Sequence, residues 1–128
     1  MDKEKKFKQY RFEDLEVWKI SIEIIKEVYR LCKKLPDNEK FGIISQFQRA
    51  ATSIALNIAE GSGQPAKKAF ILYIERAKSS NLECVACEKI ILELAYITQE
   101  DSRQLRKLLE TEYFKLTALR NSLARSNA

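Results

Sequence analysis

The 128-residue sequence contains no histidine, only three glycines and only two prolines. The missing histidine removes the commonest general base and the commonest metal ligand from the available side chains. All five glycine and proline residues lie between residues 36 and 65, so the rest of the chain has no strong helix breaker. Long helices are therefore predicted on both sides of this segment.

Membrane and export signals are also missing. No apolar run approaches the length of a membrane span, and the charged N-terminus MDKEKKFKQYRFED lacks the apolar region of a signal peptide. The three cysteines are odd in number and lie within helical patterns, which favours reduced thiols. We therefore expect a cytoplasmic protein with no membrane association.

Basic residues are concentrated at the two ends of the chain. Residues 1–11 carry five bases and two acids, residues 101–128 carry six bases and three acids, and residues 12–100 are nearly balanced. The net charge of +5 permits weak attraction to phosphate, but an excess of this size is also common on ordinary soluble surfaces. Charge alone leaves both interpretations open.

Periodicity predicts an all-α fold, an antiparallel up-down-up-down four-helix bundle with helices at about 14–34, 38–60, 65–97 and 99–125. Residues 1–12 are expected to form a basic flexible arm and residues 13–128 a single domain. In the first helix a second apolar row lies beside the predicted buried seam, so this helix is expected to contact two neighbours. The row consists of Val17, Ile20, Ile24, Val28 and Leu31. The predicted buried seams step by three and four residues: Leu15, Trp18, Ile22, Ile25, Tyr29 and Cys32 in the first helix, Ile44, Phe47, Ala51, Ile54 and Ile58 in the second, Phe70, Tyr73, Ala77, Ser80, Cys84, Cys87, Ile91 and Leu94 in the third, and Leu105, Leu109, Leu116, Leu119 and Leu123 in the fourth.

The helix boundaries are predicted from local capping chemistry. Asp37 or Asn38 is expected to cap the second helix. Gly61 is expected to end that helix in a left-handed conformation, and Pro65 to be the first residue of the next. Residues 98–101 (TQED) match a capping box, which predicts the start of the fourth helix.

A polar stripe runs along the second helix beside its apolar seam. Its members follow at spacings of three, four, four and three residues: Gln46, Arg49, Ser53, Asn57 and Glu60. The preferred interpretation is a hydrogen-bonded network between helices or subunits in which Arg49 offsets Glu60 or Glu83, because buried charges need partners. The alternative is a site where Arg49 meets a phosphate, although a neighbouring carboxylate would repel that anion.

Candidate nucleic-acid-binding residues form three basic groups. They are Lys5, Lys6, Lys8 and Arg11 in the arm, Lys67 and Lys68 at the start of the third helix, and Arg103, Arg106, Lys107 and Arg120 in the fourth. In an up-down bundle the third and fourth helices begin at opposite ends. One protomer is therefore not expected to gather all three groups.

No catalytic or metal-binding motif occurs in the sequence. Cys84 and Cys87 have C-x-x-C spacing, but they lie within a helix with no second cysteine pair, and we expect them to be small core residues. A carboxylate metal site of the Glu-x-x-His type requires histidine. Gly-rich phosphate loops are absent as well. We predict a protein without catalytic residues, cofactor or metal.

Three stretches are similar to a known family: FEDLEVW at 12–18, LP…EKFGIISQFQRAATSIALNIAEGSG at 35–63 and AKSSNLE at 77–83. Together they resemble the four-helix-bundle proteins encoded in 23S rRNA intervening sequences, and a related branch contains accessory proteins of diversity-generating retroelements. Ser79 and Cys84 depart from the family pattern, which usually has Gly and Leu there. The matching positions are Asp14, Leu15, Trp18, Phe41, Gly42, Gln46, Arg49, Ala50, Ser53, Asn57, Glu60, Gly61, Ser80 and Glu83.

The resemblance implies a homopentameric barrel of bundles with a suspected nucleic-acid-binding role and no catalytic activity. We therefore expect a non-enzymatic homo-oligomer that binds structured RNA or DNA, since a ring would repeat each basic patch on every subunit. Two alternatives stay open. One is a retroelement accessory protein that binds a reverse transcriptase and its template RNA, and the other is a structural protein-interaction module.

Overall fold

The computed structural model describes residue 7 and residues 9–126. Within this part the fold is entirely helical and contains no strand, which confirms the predicted all-α class. Two short 3-10 turns accompany four long helices. In chain order the elements are a 3-10 turn at Arg11–Asp14, α1 at Glu16–Cys32, a 3-10 turn at Asp37–Glu39, α2 at Ile43–Ser62, α3 at Lys67–Glu93 and α4 at Gln99–Arg125.

The four helices form an antiparallel bundle in which each helix packs against two neighbours, in the cyclic order α1, α2, α3, α4. Short connections make sequential helices antiparallel. The ion pairs Glu16–Lys115 (3.2 Å) and Lys34–Asp101 (3.8 Å) show the same arrangement for α1 and α4. We call the end where α1 and α3 begin the near end, and the other the far end.

The core confirms the predicted seam of α2, where Phe47, Ala51, Ile54 and Ile58 are fully buried. In α1 the second apolar row provides the core, because Ile24, Val28 and Leu31 are fully buried whereas Trp18, Ile22 and Ile25 are only partly covered and Tyr29 is exposed. The predicted central row of α1 is therefore wrong except at Cys32, which is buried, whereas the expected contact of α1 with two neighbours is confirmed. The apolar face of α1 is wide because this helix packs against both α2 and α4. The middle of that face points between the two partner helices and is the part that is fully buried.

The predicted seam of α3 needs two corrections. Ile74 is fully buried in place of Tyr73, and Leu94 is exposed because α3 ends at Glu93 and Leu94 is its C-cap. The left-handed residue of the bundle is Ala95 (φ 62°), the only non-glycine residue with positive φ in the described part of the chain. This residue turns the chain toward α4.

The segment rich in glycine and proline differs most from prediction. Residues Asp37–Glu39 form a separate 3-10 turn, and α2 begins only at Ile43, so neither Asp37 nor Asn38 caps it. Gly61 lies inside α2, which continues to Ser62, and no described glycine has positive φ. The prediction of a left-handed Gly61 is wrong: its role is close helix contact.

Two other boundary predictions have opposite outcomes. The prediction for Pro65 is wrong, because Pro65 lies before α3, whose N-cap is Ala66 and whose first residue is Lys67. The capping box of α4 is confirmed: the Thr98 hydroxyl accepts from the Asp101 N–H (3.1 Å), and the Asp101 carboxylate accepts from the Thr98 N–H (2.9 Å). Both contacts are local to one turn, which is why the sequence alone predicts them.

Part of the predicted N-terminal arm belongs to the folded domain. Arg11 donates to the Ser62 carbonyl (3.3 Å) and stands 5.5 Å from the centre of the Phe70 ring. Phe12 packs edge-on against Trp18, with ring centres 4.5 Å apart. Arg11 and Phe12 thus attach the 3-10 turn to the near end of the bundle. None of the described helices combines the length and apolarity that crossing a membrane requires.

Candidate nucleic-acid and subunit interface

Three of the predicted basic residues lie at the near end of the bundle, and we call them the near-end cluster: Arg11, Lys67 and Lys68. The Lys67 ammonium donates to the Ser126 hydroxyl (2.7 Å), and Lys68 is exposed in the first turn of α3. Within the described residues, no carboxylate pairs with any of the three. Their charge is therefore available to an external anion.

The predicted basic residues of α4 are mostly neutralised by carboxylates. Arg103 pairs with Glu100 (2.6 Å), Arg106 with Glu88 (2.7 Å) and Arg120 with Glu75 (2.9 Å). Lys107 is exposed and has no acidic partner among the residues described. Two of the three carboxylates lie on α3, so the sequence of α4 could not reveal this neutralisation. Lys5, Lys6 and Lys8 lie outside the described residues.

Part of the polar stripe joins α2 to α3 within one protomer. The Gln46 amide donates to the Glu83 carboxylate, and the Ser53 and Ser80 hydroxyl oxygens are 2.8 Å apart. The Asn57 amide donates to the carbonyl (2.8 Å) and hydroxyl oxygen (3.1 Å) of Ser53. These contacts form a hydrogen-bonded network between two helices.

The charged members of the stripe lie apart from that network. The Arg49 guanidinium donates to the Ser45 hydroxyl oxygen (3.3 Å), and Glu60 is exposed near the end of α2. Among the described residues, Arg49 pairs with neither Glu60 nor Glu83, so the expected ion pair does not form within a protomer. Three residues turn a helix by about 300°, which moves Arg49 about 60° away from the side of Gln46.

Sequence reasoning missed a cleft between α1 and α2 near the far end, which we call the α1–α2 cleft. It has a volume of about 550 Å³ and contains two cations and two aromatic side chains. The Phe41 side chain is 90% exposed, and the Lys40 ammonium stands 5.6 Å from the centre of its ring. The lining residues are Tyr29, Lys40, Phe41, Ile44, Ser45, Gln48, Arg49 and Thr52. The available signal was Phe41 beside a glycine, but the predicted second helix spanned both.

Two buried carboxylates were also missed. Glu88 is 1% exposed and pairs with Arg106. Glu112 is fully buried, and neither of its oxygens has a hydrogen-bond partner within the described part of the chain. Burial raises the pKa of Glu112 to about 9, with a smaller contribution from the Glu16 charge. Its position between Leu109 and Leu116, at steps of three and four, was the signal for burial.

All three cysteines are free of disulfide bonds and buried in the bundle. Burial is the main factor that raises the pKa of Cys32 and of Cys87 to about 11, and it raises the pKa of Cys84 as well. Such thiols are poor nucleophiles and poor metal ligands at neutral pH. No cluster of three or more potential metal-ligating side chains occurs among the residues that the structure describes.

Comparisons with known proteins agree with this architecture. A family model described as "23S rRNA-intervening sequence protein" matches residues 13–118, which confirms the resemblance found in the sequence. A crystal structure of a protein with unknown function from the S23 ribosomal protein family of Bacteroides thetaiotaomicron superposes with a TM-score of 0.74. The match has 24% identity and covers 80% of this chain and 96% of the other, so it shows a shared fold. No curated protein matches the chain.

Proposed function

The chain belongs to the 23S rRNA-intervening sequence protein family, and on that premise we propose that it is a non-enzymatic, cytoplasmic homo-oligomer that binds RNA through basic surface patches. The observation that carries this proposal is the near-end cluster. Arg11, Lys67 and Lys68 come from two separate segments and lie at the same end of the bundle, and none of them pairs with a carboxylate among the described residues. The family name favours RNA over DNA as the nucleic acid.

Electrostatics supports binding to a polyanion only if the cations are not already paired. Each phosphate that a lysine or arginine neutralises releases counterions, which favours binding at low salt. A cation beside a protein carboxylate contributes less, because the neighbouring negative charge lowers the local positive potential. The near-end cluster meets this condition, whereas Arg103, Arg106 and Arg120 do not.

Self-association would repeat the near-end cluster on every subunit and so raise the affinity of the assembly for RNA. Three large apolar side chains on the outside of α3, Leu72, Leu82 and Ile90, are between 46% and 54% exposed. Their spacing along one helix suits contact with another subunit. We propose a homopentamer, as the family resemblance implies, with a mass five times the 14.9 kDa of the protomer.

A salt titration tests RNA binding directly. Affinity for a structured RNA should fall steeply between 50 and 200 mM salt, roughly as expected for several phosphate contacts. The variant Lys67→Ala/Lys68→Ala should bind more weakly and show a shallower salt dependence. Lys33→Ala/Lys89→Ala removes the same charge from exposed sites elsewhere and is the matched control. If the wild type retains no RNA even at 50 mM salt, the proposal fails.

A protein-interaction module is the second candidate function. It is favoured by the apolar outer side of α3 and by the internal neutralisation of the α4 arginines. A retroelement accessory protein would combine both roles by binding a reverse transcriptase and its template RNA. The gene neighbourhood separates the RNA-binding role of the family from the retroelement role. A neighbouring ribosomal RNA gene supports the first, and a neighbouring reverse transcriptase gene supports the second.

A further inference from the structure

We propose that the α1–α2 cleft holds an unpaired nucleotide of RNA, with its base against Phe41 and its phosphate between Lys40 and Arg49. The inference rests on the proposed RNA-binding function and narrows the ligand to RNA with single-stranded segments. It assigns a second contact region, near the far end, that is separate from the near-end cluster.

The size and chemistry of the cleft suit a nucleotide. Its volume of about 550 Å³ falls in the range of about 300–1,000 Å³ that is usual for small-molecule sites. Ile44 and Tyr29 supply apolar surface for a base. Gln48 and Thr52 supply polar groups within the same cleft, which a base edge or a 2′-hydroxyl can use.

Phe41 is the side chain that most needs an explanation. Phe41 lies just before α2 and is 90% exposed, although burying a large apolar side chain normally stabilises a protein. Tyr29 is 42% exposed on the neighbouring helix. Exposed aromatic rings beside cations are the usual means by which proteins stack single-stranded bases.

The cations of the cleft are suited to a phosphate. Arg49 makes one hydrogen bond, to Ser45, which neutralises none of its charge. No acidic residue lines the cleft, and in the described part of the chain neither Lys40 nor Arg49 has a carboxylate partner. Glu39, next to Lys40 in sequence, accepts a hydrogen bond from the Tyr96 hydroxyl (2.8 Å).

The same geometry disfavours double-stranded RNA as the ligand of this cleft. In a duplex the base faces are stacked on one another and are closed to side chains. An aromatic ring can stack only on a base that has left the helix. A duplex can still bind the near-end cluster, because phosphate contacts require no exposed base.

The test compares two RNAs and two matched variants. An unpaired 12-nucleotide RNA and a blunt duplex of the same sequence are titrated by fluorescence anisotropy. Phe41→Leu removes the ring and keeps an apolar side chain, whereas Phe114→Leu makes the same change at a site 73% exposed on α4. Phe41→Leu should weaken single-strand binding by about 5- to 150-fold, the loss expected for one stacked base. It should change duplex binding by less than about twofold, and Phe114→Leu should change neither.

Four other results would overturn the inference. Equal effects of Phe41→Leu and Phe114→Leu, or equal effects on both RNAs, would remove the stacking site while leaving RNA binding in place. A fall in oligomer mass caused by Phe41→Leu or Arg49→Gln would identify the cleft as a subunit contact. If the wild type binds neither RNA at low salt, the proposed function fails too, and the salt titration of the wild type with a structured RNA tests that function separately.

Discussion

Gly61 of α2 lies directly against Tyr73 of α3. A Cβ atom at Gly61 would stand 2.6 Å from the Cβ of Tyr73 and 2.9 Å from a ring carbon of Phe70. The first distance is far below any normal carbon–carbon contact, and the Tyr73 Cβ is anchored to the backbone and cannot move aside. The absence of a side chain at position 61 therefore sets how closely α2 and α3 approach at the near end.

In Gly61→Ala the added methyl group must push two packed helices apart, which should cost about 1–3 kcal/mol. The gain of about 1 kcal/mol that alanine normally brings inside a helix offsets part of this cost, so the net loss of stability should reach up to about 2 kcal/mol. Gly63→Ala is the control, since its Cβ would meet only carbonyl oxygens at 3.7 Å or more. Chemical denaturation measures both variants. Equal stabilities would mean that the helices accommodate the methyl group.

Glu112 makes stability depend on pH. Its pKa is about 9 in the folded protein against 4.5 for an ordinary glutamate, because burial favours the neutral acid. The folded protein therefore holds a proton that the unfolded chain releases. The contribution of Glu112 to stability is complete below about pH 4.5 and declines up to about pH 9, by about 1.4 kcal/mol for each pH unit.

Glu112→Met should remove this decline, since it leaves an apolar side chain of similar length in the core. The gain over wild type should be smallest near pH 4.5 and should grow to several kcal/mol at pH 8. Urea unfolding at a series of pH values measures the effect. Glu110→Met, an exposed position on the same helix, is the control and should change stability by no more than about 0.5 kcal/mol. A parallel pH profile for Glu112→Met and wild type would contradict the assignment.

Arg106 is expected to serve stability more than RNA binding. Its partner Glu88 is buried, so Arg106→Ala leaves a carboxylate without compensation and should cost about 3 kcal/mol. Arg103→Ala breaks a pair whose side chains are 70% and 75% exposed and should cost less than about 1 kcal/mol. Thermal unfolding compares the two. The additional change Glu88→Gln should restore part of the loss, and no restoration would argue against the ion pair as the cause.

The outer side of α3 is expected to be a subunit contact. Leu72→Asp/Ile90→Asp introduces charges on this side and should reduce the mass in light scattering from a multiple of 14.9 kDa toward that of one protomer. Phe114→Asp places the same charge on an exposed apolar site of α4 and should leave the mass unchanged. A wild-type mass of 14.9 kDa would contradict self-association altogether.

Local sequence patterns predicted those features that depend on one segment of the chain. The capping box of Thr98 and Asp101 and the buried row through Phe47 and Ile58 are confirmed because both follow from the turn of a single helix. The role of Gly61 was missed because a glycine near a helix end fits either a left-handed cap or a close contact. Only the position of Tyr73 on another helix distinguishes the two.

The candidate site was predictable only in part for the same reason. Lys67 and Lys68 are candidates that charge alone predicts, but nothing in the sequence of α4 indicates that Arg106 faces Glu88 and Arg120 faces Glu75. The α1–α2 cleft escaped notice because its lining comes from two helices and the turn before α2. Taken one segment at a time, its cations and aromatic rings do not indicate a common binding site.

The sequence by itself determined four amphipathic helices, their approximate lengths and their antiparallel order, because helix period, capping and short connections act within or between adjacent segments. The tertiary structure alone decided which charges are neutralised, which acid is buried without a partner and where the cleft opens. These depend on the register between antiparallel helices, and a shift of one residue turns a side chain by about 100°. Such a shift would exchange a paired arginine for an exposed one while leaving every local pattern intact.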